Sequence, residues 1–209
     1  MKNNLKTAEP KTDMLQYIMV RKVNAVQGGA RAEKERIRQE TRMISGQLDP
    51  AYRKEASESI TRQVLAHPWW KAAKAVMIYW SLPEEPDTRA LMEAALREKK
   101  HLLLPRCLDG KTMTALPLKD LEDVEPGHLG IPAPRLEERR GKIPEPDLII
   151  VPCVTAAPDG VRLGHGAGYY DRFLAEHPAK TVCLCFRPLQ RASLPAEETD
   201  ILMDLVITD

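Results

Sequence analysis

The most informative stretch of this sequence is Arg162-Leu163-Gly164-His165-Gly166-Ala167-Gly168-Tyr169-Tyr170-Asp171-Arg172. Its three glycines alternate with other residues, and because glycine lacks a Cβ atom, its backbone N–H group can approach a ligand closely. Such N–H groups at the start of a helix form a binding site for phosphate or another anion. The spacing differs from that of the P-loop and from that of the dinucleotide-binding fingerprint. The stretch therefore predicts an anion-binding loop that opens a helix at about Tyr169.

Charged residues surround this loop, residues 164–168, which we call the glycine loop. Asp171 follows it within one helical turn, where a carboxylate can meet a cation bound to the same phosphate. Arg162 and Arg172 add positive charge at the two ends. The glycine spacing alone would also suit a flexible turn, so the prediction depends on the whole stretch.

Apolar runs on both sides of the glycine loop predict the fold. Runs of strand length lie at 75–80, 102–104, 113–118, 148–151, 180–186 and 205–208. Helical patterns cover 31–48, a segment that starts at Pro50, the segment after Asp87, and the segment after the glycine loop. Pro105 is expected to close the second strand, and 120–146 reads as a long connection with turn signals. Helices that alternate with uniformly apolar strands indicate a three-layer α/β fold with a mainly parallel central sheet and helices on both faces.

Composition limits the domain organisation and the partners. The chain has 209 residues, 43% of them hydrophobic, which suits a single domain at 31–209. Residues 1–30 are polar and lack periodicity, so we expect a flexible N-terminal extension. A formal net charge of +1 gives no global attraction to nucleic acid or membrane. The four cysteines lack disulfide or metal spacing, and no apolar run suits a transmembrane helix or a signal peptide, so we expect a cytoplasmic protein. We also expect a monomer.

Several charged residues could contribute to a site at the carboxyl ends of these strands, where ligands bind in such sheets. Lys34 and Arg38 are four residues apart and share a helix face, which by itself would suit a solvated surface. Glu85 and Asp87 follow the first strand and could equally serve as helix caps. Arg106 follows the second strand, where a guanidinium suits a carboxylate or phosphate.

The stretch 162–172 resembles the signature of the 5-formyltetrahydrofolate cyclo-ligase family, also called 5,10-methenyltetrahydrofolate synthetases, which reads close to R-L-G-x-G-x-G-Y-Y-D-R. The resemblance extends from about Lys34 to the C-terminus. It implies a Mg-ATP-dependent ligase that converts 5-formyltetrahydrofolate to 5,10-methenyltetrahydrofolate with ADP and phosphate, through a phosphorylated formyl intermediate. The implied partners are a reduced folate and ATP, and the implied cofactor is Mg²⁺.

The resemblance also implies roles for individual residues. The residues implied to bind the nucleotide are Lys34, Arg38, Arg162, Leu163, Gly164, His165, Gly166, Ala167, Gly168, Tyr169 and Tyr170. Substrate binding falls to Arg38, Leu82, Glu85, Asp87, Arg106, His165 and Tyr169. Asp171 and Asp200 would hold the metal, and no side chain is required as a base or nucleophile. Either Glu85 or Asp87 could accept the N–H groups of the pterin ring, with Asp87 preferred.

The sequence departs from the family pattern at several positions. His165 stands where many members have Tyr, Ala167 replaces Gly or Lys, and Ala133 replaces the Glu of a G-I-x-E-P turn. The segment 152–159 corresponds to P-G-x-x-F-D in the family. It contains Ala156 and Ala157 and lacks the aromatic residue of that pattern. Two alternatives therefore stay open: an ATP-dependent enzyme of the same fold that acts on another pterin- or thiamine-like molecule, and a non-catalytic nucleotide- or folate-binding regulator.

Overall fold

The computed structural model describes residues 29–139 and 142–209. The prediction for the N-terminal extension lies almost wholly outside the described residues. The helices are α1 (Ala30–Gly46), α2 (Pro50–Ala66), α3 (Pro68–Ala72), α4 (Arg89–Arg97) and α5 (Tyr169–Glu176). The strands are β1 (Ala75–Met77), β2 (His101–Cys107), β3 (Met113–Pro117), β4 (Val124–Pro126), β5 (Pro132–Pro134), β6 (Leu148–Val151), β7 (Thr155–Ala156), β8 (Arg162–Leu163), β9 (Lys180–Leu184) and β10 (Leu205–Ile207).

A central six-stranded sheet has the order β10-β9-β6-β1-β2-β3. Its pairs are parallel except for the antiparallel β2–β3 pair at one edge. The connection from β1 to β2 contains α4, the connection from β6 to β9 contains α5, and the two move in opposite directions across the sheet. Because such crossovers are right-handed, α4 and α5 lie on opposite faces. The predicted three-layer, mainly parallel α/β fold is confirmed.

The helices begin where the sequence signals predicted. The Asp49 side chain accepts a hydrogen bond from the Ala51 backbone N–H at 2.7 Å, and Pro50 occupies the first turn of α2. Helix α2 buries Ala56, Ile60 and Val64, which are spaced four residues apart, in the core. Capping and apolar spacing therefore set both the start of this helix and the face that it packs.

Three predictions of strands and connections differ most from the structure. The first strand ends at Met77 rather than at residue 80. The second strand continues through Pro105 to Cys107. Pro105 has no N–H group to donate, but it is tolerated because β1 pairs with β2 only as far as Leu103, so β2 has no partner strand on that side at residue 105. The connection 120–146 contains an antiparallel hairpin, β4–β5, in which Glu125 lies opposite Ala133.

Candidate active site

The glycine loop adopts the conformation that its sequence predicted. Gly166 has φ 105° and Gly168 has φ 69°, both in the left-handed region that favours glycine, and α5 begins directly afterwards. A Cβ atom on Gly166 would lie 3.4 Å from Cζ of Arg38, so this glycine allows the loop to approach that guanidinium. Arg172 donates to the carbonyl of Ala167 at 2.8 Å and thereby ties α5 back to the loop.

Helix α1 brings both of its predicted basic residues to this loop region. Arg38 donates from Nε to the Gly164 carbonyl at 2.8 Å. The ammonium group of Lys34 is buried and contacts Glu197 Oε2 at 2.7 Å and Asp200 Oδ2 at 2.5 Å. The interpretation of these two residues as a solvated basic face is wrong, because both side chains are engaged in contacts with distant segments.

Asp171 joins the glycine loop to the C-terminal segment. Its Oδ1 accepts from Nη2 of Arg162 at 3.0 Å and from the backbone N–H of Ile201 at 3.2 Å. Ile201 directly follows Asp200, so the two aspartates proposed as metal ligands lie in adjoining segments. The Arg162 side chain is only 5% exposed, and Asp171 supplies its ion pair.

The donor set at these aspartates fits magnesium. Mg²⁺ binds one or two carboxylates together with phosphate oxygens and water. The contacts described above use Asp171 Oδ1 and Asp200 Oδ2, and they leave the second oxygen of each carboxylate for a cation. Within residues 29–139 and 142–209 no cluster of three or more His, Cys, Asp or Glu side chains could hold a metal, so phosphate would have to complete the coordination.

Glu85, rather than Asp87, faces the glycine loop. The Glu85 side chain is buried, accepts from the Leu82 N–H at 2.9 Å, and lies 3.5 Å from Nε2 of His165. Asp87 is exposed and its Oδ1 accepts from the Arg89 N–H at 2.9 Å and from the Ser81 hydroxyl at 3.3 Å. These contacts give Asp87 a role in the turn before α4. Glu85 is therefore better placed than Asp87 to accept hydrogen bonds from the N–H groups of a ligand.

A cleft of about 1000 Å³ lies beside Glu85. Leu82, Glu85 and Asp87 line it, and so does the turn 129–132 that resembles the family's G-I-x-E-P element. Trp80 adds an aromatic surface, with the Arg89 guanidinium 4.6 Å from its ring centroid. The cleft therefore combines apolar surface with a buried carboxylate, as a flat heterocycle with N–H donors requires.

The two tyrosines after the glycine loop occupy different environments. The Tyr169 hydroxyl donates to the Asp109 carbonyl at 2.8 Å, and its ring contacts His128 edge-on. The Tyr170 hydroxyl is buried and has no hydrogen-bond partner among the described residues. Burial raises the pKa of Tyr170 well above its usual value, and the nearby carboxylate of Glu85 raises it further. Tyr170 thus presents a neutral hydroxyl close to Glu85.

Arg106 makes contacts within the protein at the position where a substrate contact was predicted. Its Nη1 donates to the Pro134 carbonyl at 2.6 Å and lies 2.7 Å from Oε1 of Glu125. These contacts hold the β4–β5 hairpin against β2. A carboxylate is thus present on this hairpin although Ala133 replaces the family's Glu, because Glu125 lies directly across from Ala133.

Glu197 and Trp80 lie at the site although the sequence did not predict them as site residues. Glu197 pairs with Lys34, and the hydrogen bond from Lys34 lowers the pKa of the Glu197 carboxyl below its usual value. Its spacing of three residues from Asp200 was the available signal, since the Asp200 carboxylate accepts from the Glu197 N–H at 2.7 Å. Trp80 was placed at the end of the first strand but was given no ligand contact.

Comparison with known proteins establishes the family of this chain. The sequence model of the 5-formyltetrahydrofolate cyclo-ligase family matches residues 30–209. The chain belongs to this family. A probable 5-formyltetrahydrofolate cyclo-ligase of Caenorhabditis elegans is 29% identical over 188 residues, which cover 83% of this chain and 91% of that protein.

Two further relatives support the assignment to the cyclo-ligase family. A probable 5-formyltetrahydrofolate cyclo-ligase of Schizosaccharomyces pombe is 31% identical and covers 73% of this chain and 83% of its own length. The NMR structure of Aquifex aeolicus 5,10-methenyltetrahydrofolate synthetase has a TM-score of 0.73 and 26% identity, with 83% of this chain and 88% of that chain covered. The predicted family and the predicted ligase class are confirmed.

Lys34 gives a direct test of nucleotide binding. We expect Lys34→Met to weaken Mg-ATP binding about tenfold or more, the effect of losing one hydrogen bond to a charged group. Isothermal titration calorimetry with Mg-ATP measures this, with Lys71→Met on the exposed face of α3 as the matched control. If folded Lys34→Met bound the nucleotide with unchanged affinity, Lys34 would have no role in nucleotide binding and would serve only in its ion pairs with Glu197 and Asp200.

Proposed function

We propose that this member of the cyclo-ligase family converts 5-formyltetrahydrofolate to 5,10-methenyltetrahydrofolate, with ATP as the second substrate and Mg²⁺ as the cofactor. The products would be ADP and phosphate. The proposal combines the family membership of residues 30–209 with the chemistry of the residues that meet at the glycine loop. The finer assignments below come from the contacts of these residues.

One observation supports the proposal most: four separate segments meet at one site. Arg38 of α1 contacts the Gly164 carbonyl, and His165 of the same loop contacts Glu85 after β1. Lys34 contacts Asp200, and Asp171 contacts the backbone of the residue after Asp200. The site thus combines cationic side chains and a glycine loop with the Glu85 carboxylate and the cleft beside it. This arrangement suits a triphosphate beside a heterocycle with N–H donors.

The proposed reaction overcomes the poor leaving ability of an amide-like formyl oxygen. Transfer of the γ-phosphoryl group to that oxygen releases ADP and converts the oxygen into part of a phosphate ester. N10 then attacks the formyl carbon, and phosphate departs with the former formyl oxygen and takes up the proton that N10 loses. The protein's contribution is alignment and charge neutralisation, so no side-chain base or nucleophile is needed.

Individual side chains have distinct roles in this proposal. Glu85 would accept N–H groups of the pterin ring and hold it beside Leu82 and Trp80, with the neutral Tyr170 hydroxyl close by. Lys34 and Arg38 would neutralise phosphate oxygens, together with N–H groups of the glycine loop. The roles of Tyr169, Leu163, Ala167 and Arg106 in ligand binding stay predictions.

Asp171 and Asp200 would hold Mg²⁺ through the carboxylate oxygens that are not paired with Arg162 and Lys34. The ion would supply Lewis-acid neutralisation of phosphate charge. The two basic side chains fix the carboxylates in place before ligand arrives, because each aspartate has one oxygen in an ion pair. A preformed pair of carboxylates lowers the ordering cost of binding.

A turnover assay tests the proposal directly. Purified protein with 5-formyltetrahydrofolate and Mg-ATP should form methenyltetrahydrofolate, which absorbs at longer wavelength because ring closure extends conjugation. Omission of ATP, or chelation of Mg²⁺ with EDTA, should abolish product formation. Tight ATP binding without methenyl product would overturn this substrate and favour another pterin- or thiamine-like molecule. Absence of both product and ATP binding would overturn the enzymatic proposal.

The cellular context is proposed with the activity. We propose a monomeric, cytoplasmic enzyme whose partners are a reduced folate and ATP rather than nucleic acid or membrane. In the described part of the chain, no helix is both long enough and apolar enough to span a bilayer. Size-exclusion chromatography with light scattering would test the monomer, with a mass of 23.5 kDa as the expected result.

A further inference from the structure

The ion pairs around Lys34 contain more carboxylates than basic groups. The Lys34 ammonium group contacts Asp200 Oδ2 at 2.5 Å and Glu197 Oε2 at 2.7 Å, so one positive charge faces two negative charges. The neighbouring pair of Arg162 and Asp171 is balanced. Since Asp171 and Asp200 are the proposed metal ligands, the carboxylate in excess is that of Glu197.

The backbone of Glu197 is fixed, whereas its side chain can turn away. Its N–H donates to Asp200 Oδ2 at 2.7 Å, and its carbonyl accepts from the Asp200 N–H at 2.9 Å. Among the residues that the structure describes, Lys34 is the only hydrogen-bond partner of the Glu197 carboxylate, and the side chain is 46% exposed. A rotation of this side chain into solvent therefore frees a donor of Lys34 without moving Asp200.

The excess negative charge weakens the binding of a nucleotide that arrives without a metal ion. Near neutral pH, ATP carries about four negative charges and Mg-ATP about two, and Coulomb repulsion is proportional to this charge. The Glu197 carboxylate therefore opposes free ATP about twice as strongly, in free energy, as it opposes Mg-ATP. Arg38 does not offset this charge, because it already forms an ion pair with Glu35 at 3.2 Å.

We propose that Glu197 makes the site selective for the metal-bound nucleotide, because its carboxylate competes with phosphate for Lys34. Mg²⁺ bound with the nucleotide supplies the positive charge that overcomes this competition. The inference rests on the proposed function, since it takes Lys34 as a phosphate contact and Asp171 and Asp200 as metal ligands. Glu197 determines specificity here and takes no part in the bonds that form or break.

Calorimetric titration of Glu197→Gln with ATP tests this selectivity, once with excess Mg²⁺ and once with EDTA. The variant should bind Mg-ATP about two- to fivefold more tightly than the unmodified protein, the range expected for one partly exposed charge. Its affinity for free ATP should rise by roughly the square of that factor, because the ligand carries twice the charge. The ratio of the two dissociation constants, free ATP over Mg-ATP, should thus fall about two- to fivefold.

Two further variants separate the Lys34 contact from net charge and from side-chain shape. Glu198→Gln removes the same charge from the next residue, which is exposed and lies outside the contacts of Lys34. In about 0.15 M salt, where the Debye length is about 8 Å, it should keep the ratio of the unmodified protein. Glu197→Asp retains the charge and should keep a ratio closer to the unmodified protein than that of Glu197→Gln.

The outcomes distinguish the inference from the function on which it rests. Equal gains for free ATP and Mg-ATP, an unchanged ratio in Glu197→Gln, or the same fall in Glu198→Gln would each overturn the selectivity while leaving the cyclo-ligase activity intact. Weaker binding of both ligands by folded Glu197→Gln would also overturn it, because Glu197 would then serve to hold Lys34 in place. No binding of ATP by the unmodified protein, with or without Mg²⁺, would overturn the proposed nucleotide site and the selectivity together.

Discussion

Asp171→Asn is expected to lower kcat/KM for Mg-ATP by about 100-fold or more, the effect of removing one preorganised electrostatic group from an active site. The Asn side chain keeps the shape and can still accept from the Ile201 N–H, but it removes the charge proposed to bind Mg²⁺. It also leaves the buried guanidinium of Arg162 without its anionic partner. We therefore expect a lower melting temperature as well as a loss of activity.

Titration with magnesium distinguishes the two effects of Asp171→Asn. Rates measured well below the melting temperature should fall most at limiting Mg²⁺ and recover partly when the ion is in excess. Glu176→Gln, an exposed charge change on the same helix, should have rates and melting temperature close to those of the unmodified protein. Full activity of Asp171→Asn at limiting magnesium would remove Asp171 from the metal site.

The sequence predicted the parts of the site that depend on local spacing. Lys34 and Arg38 had to share a helix face because they are four residues apart. Arg38 contacts the Gly164 carbonyl of the glycine loop, and Lys34 contacts Asp200. The order of apolar strands and helices predicted the α/β class, which then placed the loops after β1 and β6 at the same sheet edge. The start of a helix at Pro50 was an equally local prediction and was confirmed.

Long-range contacts could not be predicted in the same way. The pairing of Lys34 with Glu197 spans 163 residues, and no local spacing encodes it. The choice between Glu85 and Asp87 was similarly open, because acids two residues apart have the same chemistry and only tertiary packing buries one of them. The strand prediction ended too early at Pro105, because whether a strand can contain proline depends on where the neighbouring strand β1 ends.

The resting site pairs its opposite charges before any ligand is bound. Lys34 is held by Glu197 and Asp200, and Arg162 is held by Asp171. Binding of Mg-ATP would add a cation to the carboxylates and anionic phosphate to the basic residues, so each new charge meets a partner of opposite sign.

Gly160→Ala is expected to have the largest effect on stability, because Gly160 contacts Met203 and thereby positions the C-terminal segment that contains Asp200. Gly160 lies between β7 and β8 with φ 91°, and its carbonyl accepts from the Met203 N–H at 2.9 Å. A Cβ atom at this position would lie 2.4 Å from the Met203 carbonyl oxygen, a contact with backbone that no rotamer change can relieve. The left-handed φ adds strain for any residue with a side chain.

Gly160→Ala should therefore lower the free energy of unfolding by about 2–5 kcal/mol, the sum of backbone strain and steric overlap. Urea denaturation followed by circular dichroism measures the change, and Gly46→Ala at the end of α1 is the matched control. Nothing lies within 4 Å of a Cβ atom on Gly46, so that variant should be as stable as the parent or slightly more stable. The Gly160 variant should also lose turnover at temperatures where it stays folded, because a shift of Met203 moves Asp200 away from Lys34. Equal unfolding midpoints for Gly160→Ala and the parent would show that the Met203 segment adjusts without cost, and that its position does not depend on this glycine.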